Sequence, residues 1–558
     1  VADLTRNPQD LLQHGEPPAP TVEGARMIRR SPFPDVEIPA VPLTGYVLEL
    51  ATALGDKPAL IDGPTGRVVS YAALEQAVYG LAAALARAGL RRGDVLALVA
   101  PNSPEYAVVF HAVAVAGGVI TTINPSYTSG EMHHQLVDSG ASMLVVTEPF
   151  LATARSGAEG TAVRQTYLLT PLGTEPAAGT RPTAGGIAEV PHVLDLLGDH
   201  RAEQVPVEPD DVVALPYSSG TTGGAKGVML THRNLVANLA QSLAASPVRP
   251  DETMIAVLPF FHIYGMQVLM NAGLRVGATI VTMPRFDLAQ FLDGHRRYSV
   301  TRSFVVPPIV LALAKHPMVD AYDMSSLEMI ISGAAPMSAD LAQEAARRLN
   351  CEVVQGYGMT EMSPVSHHTP AGWFVPGSVG VNLPNTEARI VDPVTGEDLP
   401  DDVDGELWIR GPQVMKGYLN NEKATLDTLD PDGWLHTGDI GHFESSGHLF
   451  VVDRLKELIK VSGFQVPPAE LEALLLTHPA VTDAAVVGIA DEESGEVPAA
   501  FVVLRPGADA TEAEILDFVA SRVAGYKRIR RVTFLEAIPK SAAGKILRRV
   551  LKTQTPIG

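Results

Sequence analysis

Apolar and polar positions recur with two different periods along the 558-residue chain. Residues 71–89 place Leu, Ala and Val at helical spacing, and such stretches alternate with short aliphatic runs at 95–99, 143–147, 279–282, 303–306 and 328–332. Apolar runs of strand length, separated by helical patterns, predict parallel strands covered on both faces, an α/β architecture. Between 372 and 447 the punctuation by Pro and Gly is denser, and the short runs at 387–391 and 405–410 read as a β-barrel or meander. The pattern restarts after Asp453-Arg454, with strands at 482–489 and 499–504 and helices at 469–477 and 512–522, about the content of a small α/β domain. The expected division is an extended, Pro-rich arm over 1–42, a large domain over 43–455 and a small domain over 456–558, with the boundary at Lys456. No repeat of 20 to 50 residues is present, which excludes a solenoid or propeller.

Charge changes this picture in one respect. The chain carries 42 Lys+Arg against 63 Asp+Glu, a formal −21, so nucleic acid and anionic membranes are repelled at long range and neither is an expected partner. The acidity is uneven: residues 522–558 hold ten basic residues and only Glu536 as an acid, a local surplus suited to a polyanionic ligand. The single Cys351 rules out an internal disulfide and a cysteine-rich zinc site. No apolar run approaches the roughly 18 residues of a bilayer span, the first ten residues do not read as a signal peptide, and the last four are not a peroxisomal address. A soluble, cytoplasmic protein without integral membrane contact is expected, as a monomer or homodimer.

The strongest chemical signal is Tyr217-Ser-Ser-Gly-Thr-Thr-Gly-Gly-Ala-Lys226-Gly227, which follows the apolar run 212–216 and precedes a helical pattern from Arg233. Glycines let amide groups converge, hydroxyls add donors and one lysine supplies charge, which together suit a polyphosphate. The P-loop template fails, because Ala225 precedes the lysine and Gly227 follows it. Two histidine pairs, His133-His134 and His367-His368, diverge on either regular backbone and are expected to be structural rather than metal-binding.

Five further motifs follow in order: Gln355-Gly-Tyr-Gly-Met-Thr-Glu361, Gly433-Trp-Leu-His-Thr-Gly-Asp439, Val452-Asp-Arg454-Leu-Lys456-Glu-Leu-Ile-Lys460, Gly463-Phe-Gln465 and Pro539-Lys-Ser-Ala-Ala-Gly-Lys545. With the glycine-rich loop they resemble the adenylate-forming enzymes, which include acyl- and aryl-CoA synthetases, and most closely the 4-coumarate–CoA ligases. The resemblance covers about residues 45–552. It implies a large domain of two parallel-type sheets with helices plus a β-barrel subdomain, followed by a small, mobile α+β domain. It also implies a two-step reaction in which ATP activates a carboxylic acid and coenzyme A receives the acyl group, with Mg²⁺ as cofactor.

Roles follow by resemblance. Ser218, Ser219, Gly220, Thr221, Thr222, Gly223 and Lys226 would hold the β- and γ-phosphates, with Thr360 on the α-phosphate and Glu361 on Mg²⁺. Gln355, Gly356, Tyr357 and Gly358 would line the nucleotide site, Tyr357 offering a face to adenine, while Asp439 and Arg454 would serve the ribose. Lys545 would bridge the carboxylate and the α-phosphate, lowering the repulsion between two anions. His262, in Leu258-Pro-Phe-Phe-His262-Ile-Tyr264, would lie beside the activated carboxylate, and Tyr264, Gly333, Ala334, Pro364 and Val365 would wall the acyl pocket, the Tyr264 hydroxyl within reach of a phenol. A swing of the small domain about Lys456 would exchange Lys545 for Lys460, Ser462, Gly463, Phe464 and Gln465, the thiol-side set, with Gly463 leaving room for pantetheine. Two departures from the plant ligases are Val461-Ser462, where Tyr-Lys is usual, and Ala225, where Pro is common. The expected substrate is a 4-coumarate-like cinnamate. The rival readings are a medium- or long-chain fatty acid, and transfer to a carrier protein or an amine in place of coenzyme A.

Overall fold

The computed structural model describes residues 21–23, 26–172, 190–197, 201–218, 225–461, 464–491, 494–541 and 544–554. Four sheets organise the described chain. In the first, six parallel strands run in the order Glu352–Gly358, Met329–Ser332, Arg302–Val305, Thr253–Ala256, Thr279–Thr282 and Pro58–Asp62, with antiparallel strands only at the two edges. The second has Val95–Val99 at its centre, parallel to both Val119–Ile123 and Met143–Val146. Met143–Val146 is buried at every position, as expected of strands covered on both faces. Helices Tyr71–Arg87 and Pro104–Val115 pack together, and one hydrophobic core runs through both sheets. The helix predicted over 71–89 thus forms, started by the Ser70 hydroxyl accepting from the Ala73 amide.

The third sheet is antiparallel, in the order Thr21–Glu23, Arg26–Arg30, Glu387–Val391, Gly405–Arg410, Leu435–Phe443 and Leu449–Arg454. It is the region read as a barrel or meander, and it is an open six-stranded meander over the described residues. Within the segment read as an extended arm, Arg26–Arg30 is a strand that pairs with Glu387 and Ala388, and buried Arg29 bonds Asp401.

The fourth sheet belongs to the C-terminal lobe, with Phe464–Val466, Ile459–Val461, Gly495–Leu504 and Val481–Asp491 in order and Arg531–Phe534 parallel to Gly495–Leu504. Helices Pro468–Leu476 and Glu512–Ala520 cover it. Its aliphatic core, from Ile459 to Val532, is separate from the large one. The chain enters this lobe through a turn after Arg454, where the Glu457 and Leu458 amides both donate to the Arg454 carbonyl. Exposed Lys456 sits in that turn. No described helix is long and apolar enough to cross a membrane.

Candidate active site

The parallel strands deliver their C-terminal ends to a common crevice, the usual location of a site on such sheets. A cavity of about 100 Å³ opens there. From the predicted set its walls include His262, Tyr264, Gly333 and Ala334 on one side and Gly356, Tyr357 and Gly358 on another. Thr360, Pro364, Val365 and Lys545 complete it. These residues span nearly three hundred positions of sequence, and the fold brings them to one space.

Local backbone explains several placements. Residues Tyr264–Asn271 form a π-helical stretch, a wider turn than an α-helix and one that recurs at functional sites. Tyr264 packs edge-on against Phe304, and a side chain at Gly333 would meet its ring at 3.2 Å. The Tyr264 hydroxyl donates to the Ile331 carbonyl at 3.2 Å. Its proton is therefore committed to the protein, while its oxygen keeps the capacity to accept a hydrogen bond from a phenol. Ala334 adopts φ 70°, a left-handed conformation uncommon outside glycine, in the turn after Met329–Ser332. At Gly358 a Cβ would sit 2.1 Å from the Pro364 carbonyl oxygen, so only glycine fits the closure of this wall.

The nucleotide side is a pre-bonded network. The Tyr357 hydroxyl donates to Asp439 at 2.5 Å, and the Arg454 guanidinium pairs with the same carboxylate at 3.1 Å. The register of Leu435–Phe443 against Leu449–Arg454 sets Asp439 directly opposite Arg454. Asp439 raises the Arg454 pKa, while burial and that carboxylate push the Tyr357 phenol well above its usual value. Buried Glu361 accepts from the Ser218 hydroxyl at 2.9 Å and from the Tyr418 hydroxyl at 2.8 Å. Lys226 lies over the Tyr418 ring at 4.0 Å, and burial lowers its pKa against the opposing pull of Glu361. Gln355 is buried with its amide on the Ser378 carbonyl and does not line the cavity.

Ser218 pairs with Lys226 and Tyr217 with Gly227, so the two strands that flank the glycine-rich stretch are antiparallel neighbours, and the second precedes helix His232–Ala245. Ser219, Gly220, Thr221, Thr222 and Gly223 lie outside the described residues, as do Ser462 and Gly463. A single buried carboxylate beside that loop, already accepting hydroxyl donors, suits a hard divalent ion that takes its other ligands from phosphate and water. Among the described residues there is no cluster of three or more acidic, histidine or cysteine ligands. Glu361 with Ser218 nearby is thus the group able to hold Mg²⁺.

Lys545 reaches this site from the small lobe. Its loop is closed by the Ser541 amide on the Lys545 carbonyl at 2.7 Å, and Gly544, at φ 77°, lies against Val306 of the large domain. Burial and the nearby Arg454 lower the Lys545 pKa, while Asp439, Glu361 and Glu457 oppose that shift. His262 is brought down to about 4, mainly by burial and further by Lys545. It is therefore a neutral imidazole. The Tyr264 amide donates to its Nδ1 at 3.3 Å, which leaves Nε2 as the protonated nitrogen and a donor.

The remaining thiol-side residues are elsewhere. Lys460 and Gln465 face each other across the hairpin Ile459–Val461 and Phe464–Val466, are exposed, and do not line the cavity. Phe464 is exposed and stacks on Tyr526 at 4.5 Å. The structure thus does not bring Lys460 and Gln465 together with Lys545. Conversely, the cavity includes Asn238, Ser242, Gln267 and Phe304, which sequence reasoning did not single out. The four-residue spacing of Asn238, Ser242 and Ser246 was the signal for the first two, since it marks one face of a helix. Of the His367-His368 pair, expected to be structural rather than metal-binding, His368 lines the cavity.

The family model for the AMP-binding enzyme matches residues 49–419, and that for the AMP-binding enzyme C-terminal domain matches 470–545. The chain is similar to 4-coumarate-CoA ligase 1 of Narcissus pseudonarcissus, at 44% identity over 94% of this chain and 96% of that protein. Among solved structures it is similar to ATP-bound MatB from Rhodopseudomonas palustris, with a TM-score of 0.83 and 29% identity over 92% of this chain and 99% of that one. It is likewise similar to the anthranilate CoA ligase AuaEII in complex with anthranoyl-AMP, with a TM-score of 0.84 and 25% identity over 93% and 98% of the two chains. Matched along both its large and its small domain, this chain belongs to the AMP-binding enzyme family.

Proposed function

We propose that the protein is an AMP-forming carboxylate–CoA ligase acting on 4-coumarate or related cinnamates, working in the cytoplasm as a monomer or homodimer. The near-full-length similarity to a 4-coumarate-CoA ligase supports the reading of the reaction. The observation that carries it is the meeting of Lys545, from the small lobe, with neutral His262 in one apolar-walled cavity beside the Asp439–Arg454 and Glu361 groups. A carboxylate oxygen attacks the α-phosphorus of ATP, the bond to pyrophosphate breaks, and an acyl-adenylate forms. The sulfur of coenzyme A then attacks the acyl carbon, the thiol loses its proton, and AMP leaves.

Both anions of the first step need positive charge between them, which Lys545 supplies; bound phosphate favours its ammonium form. The Nε2–H of His262 suits a developing negative charge on the acyl oxygen. Asp439 and Arg454 orient the ribose, and the edges of Tyr357 and the two adjoining glycines let adenine approach. Mg²⁺, held through Glu361, would neutralise phosphate charge. In the second step the small domain, from about residue 456 onward, turns about Lys456 and brings Lys460, Gln465 and the residues 462–464 to the site in place of Lys545.

The test is a panel of cinnamates, benzoates and alkanoates, scored for pyrophosphate release with and without coenzyme A. The reading expects 4-coumarate to give the highest turnover and coenzyme A to yield a thioester. Alkanoates outrunning all cinnamates would replace the substrate assignment by a fatty acid. Turnover indifferent to coenzyme A would move the acceptor to an amine or a carrier protein.

A further inference from the structure

Most polar atoms around the acyl cavity are already committed to protein partners. Asn238 donates to the Val365 carbonyl at 2.7 Å, Gln267 to the Leu235 carbonyl at 2.6 Å, and Tyr264 to the Ile331 carbonyl. The Ser246 hydroxyl accepts from Arg302. Two atoms are different. Ser242 Oγ and His368 Nε2 are buried, and neither has a hydrogen-bond partner among the described residues. Leaving such groups unpaired costs stability, so a native site that holds them open next to a cavity reads as a site for a polar ligand atom.

Their placement is convergent. Ser242 is one helical turn from Asn238 and one from Ser246, on the face that lines the cavity. His368 stands opposite Gly356 in the strand register, and a Cβ on that glycine would lie 3.6 Å from His368 Nδ1. Arg302, which holds Ser246, is also the charge that acts on His368, whereas the charges acting on Lys545 are Arg454, Asp439, Glu361 and Glu457. Arg302 thus lies beside both: it bonds Ser246, one turn from Ser242, and its charge acts on His368. Burial holds His368 neutral, at about 3, so one of its ring nitrogens is an acceptor.

We propose that Ser242 and His368 form a ring-hydroxyl subsite, in which the phenol of a 4-hydroxylated cinnamate donates to His368 Nε2 and accepts from the Ser242 hydroxyl, so that these two residues set the preference for phenolic acids. The inference rests on the ligase reading above and deepens it. An alkyl or unsubstituted ring end leaves both protein atoms unpaired, and the loss falls on such substrates.

The experiment measures kcat/KM of adenylation for 4-coumarate, cinnamate and 4-fluorocinnamate, the last matching the hydroxyl in size but unable to donate. The wild-type enzyme is expected to favour 4-coumarate over both by about tenfold or more. Ser242→Ala and His368→Met should each shrink that ratio by about tenfold, and His368→Gln, which keeps an acceptor, should restore part of it. Variants that lose 4-coumarate and cinnamate activity in equal proportion, or that keep the wild-type ratio, overturn the proposal. The 4-fluorocinnamate ratio needs no variant, and wild-type indifference between it and 4-coumarate also overturns it. Failure of the ligase reading itself is distinguishable, because it shows as absence of 4-coumarate turnover in the wild-type enzyme, and it takes the subsite with it.

Discussion

The small lobe carries two loops with opposite surroundings. The loop ending in Lys545 is tied by Ser541, seats Gly544 on Val306 of the large domain, and puts its lysine into the cavity. The hairpin of Ile459–Val461 and Phe464–Val466 leaves Lys460 and Gln465 exposed. Both belong to the small lobe, where the Arg548 guanidinium pairs with Glu457 at 2.7 Å and with Glu472. The difference between them teaches that the lobe presents Lys545, and not the Lys460–Gln465 hairpin, to the cavity.

The most forceful way to break this comparison is to remove each lysine separately. Lys545→Ala should lower acyl-adenylate formation by about 10²- to 10³-fold, the scale for removing one charge-stabilising donor. Thioester formation from a supplied acyl-adenylate should stay near the wild-type rate. Lys460→Ala should show the reverse split. Stopped-flow pyrophosphate release and thioester absorbance read the two half-reactions. Equal losses in both half-reactions for either variant would mean that the two loops serve a single orientation.

How far the sequence could foretell this follows from the same contrast. Strands and helices were legible because buried parallel strands leave aliphatic runs and helices leave a four-residue period, as at Val95–Val99 and Tyr71–Arg87. The walls at Gly356, Gly358 and Lys545 were legible because their short motifs demand small residues and charge. Tyr264 was placed correctly, but the destination of its hydroxyl depends on the Ile331 carbonyl of a strand 67 residues away, which no local pattern records. The same holds for His368, whose neighbours Gly356 and Arg302 come from two other strands. Arg26–Arg30 was hidden for a related reason, since its partner strand Glu387–Val391 lies some 360 residues on. Lys460 is exposed and away from the cavity, and no local pattern records where its hairpin sits against the large domain.

A smaller perturbation sharpens the docking contact itself. Gly544 has φ 77°, and a Cβ there would sit 3.3 Å from Val306. Gly544→Ala adds a conformational cost of about 1–2 kcal/mol for an L-residue in the left-handed region, plus crowding against Val306. Adenylation should fall by about tenfold at unchanged thioester formation. If both half-reactions stay at wild-type rates, the Gly544–Val306 contact is incidental to placing Lys545.

The gentlest perturbation is pH, and it separates the two lobes by their histidines. His111, His367 and His368 are held at about 3, and His232, His262 and His295 at about 4, in each case mainly by burial. All six lie before residue 455, and His478 is the only histidine after it. Unfolded histidine binds its proton near 6.5, so between there and about 4 the unfolded large domain holds more protons than the folded one, and its stability falls as pH falls through that window. Asp453, raised to about 6 by burial at the lobe boundary, has the opposite sign: its folded form binds the proton more tightly, so its contribution weakens as pH rises through 6. One carboxyl does not offset six imidazoles. The three tryptophans, at 373, 408 and 434, report only the large domain, and amide exchange along Val481–Asp491 and Gly495–Leu504 reports the small one. Lowering pH from 7 to 5 should reduce the urea midpoint seen by tryptophan fluorescence and leave the protection factors of the small-lobe strands, which remove the intrinsic pH dependence of amide exchange, nearly unchanged, and equal losses of stability at both probes would mean that the two hydrophobic cores unfold as one.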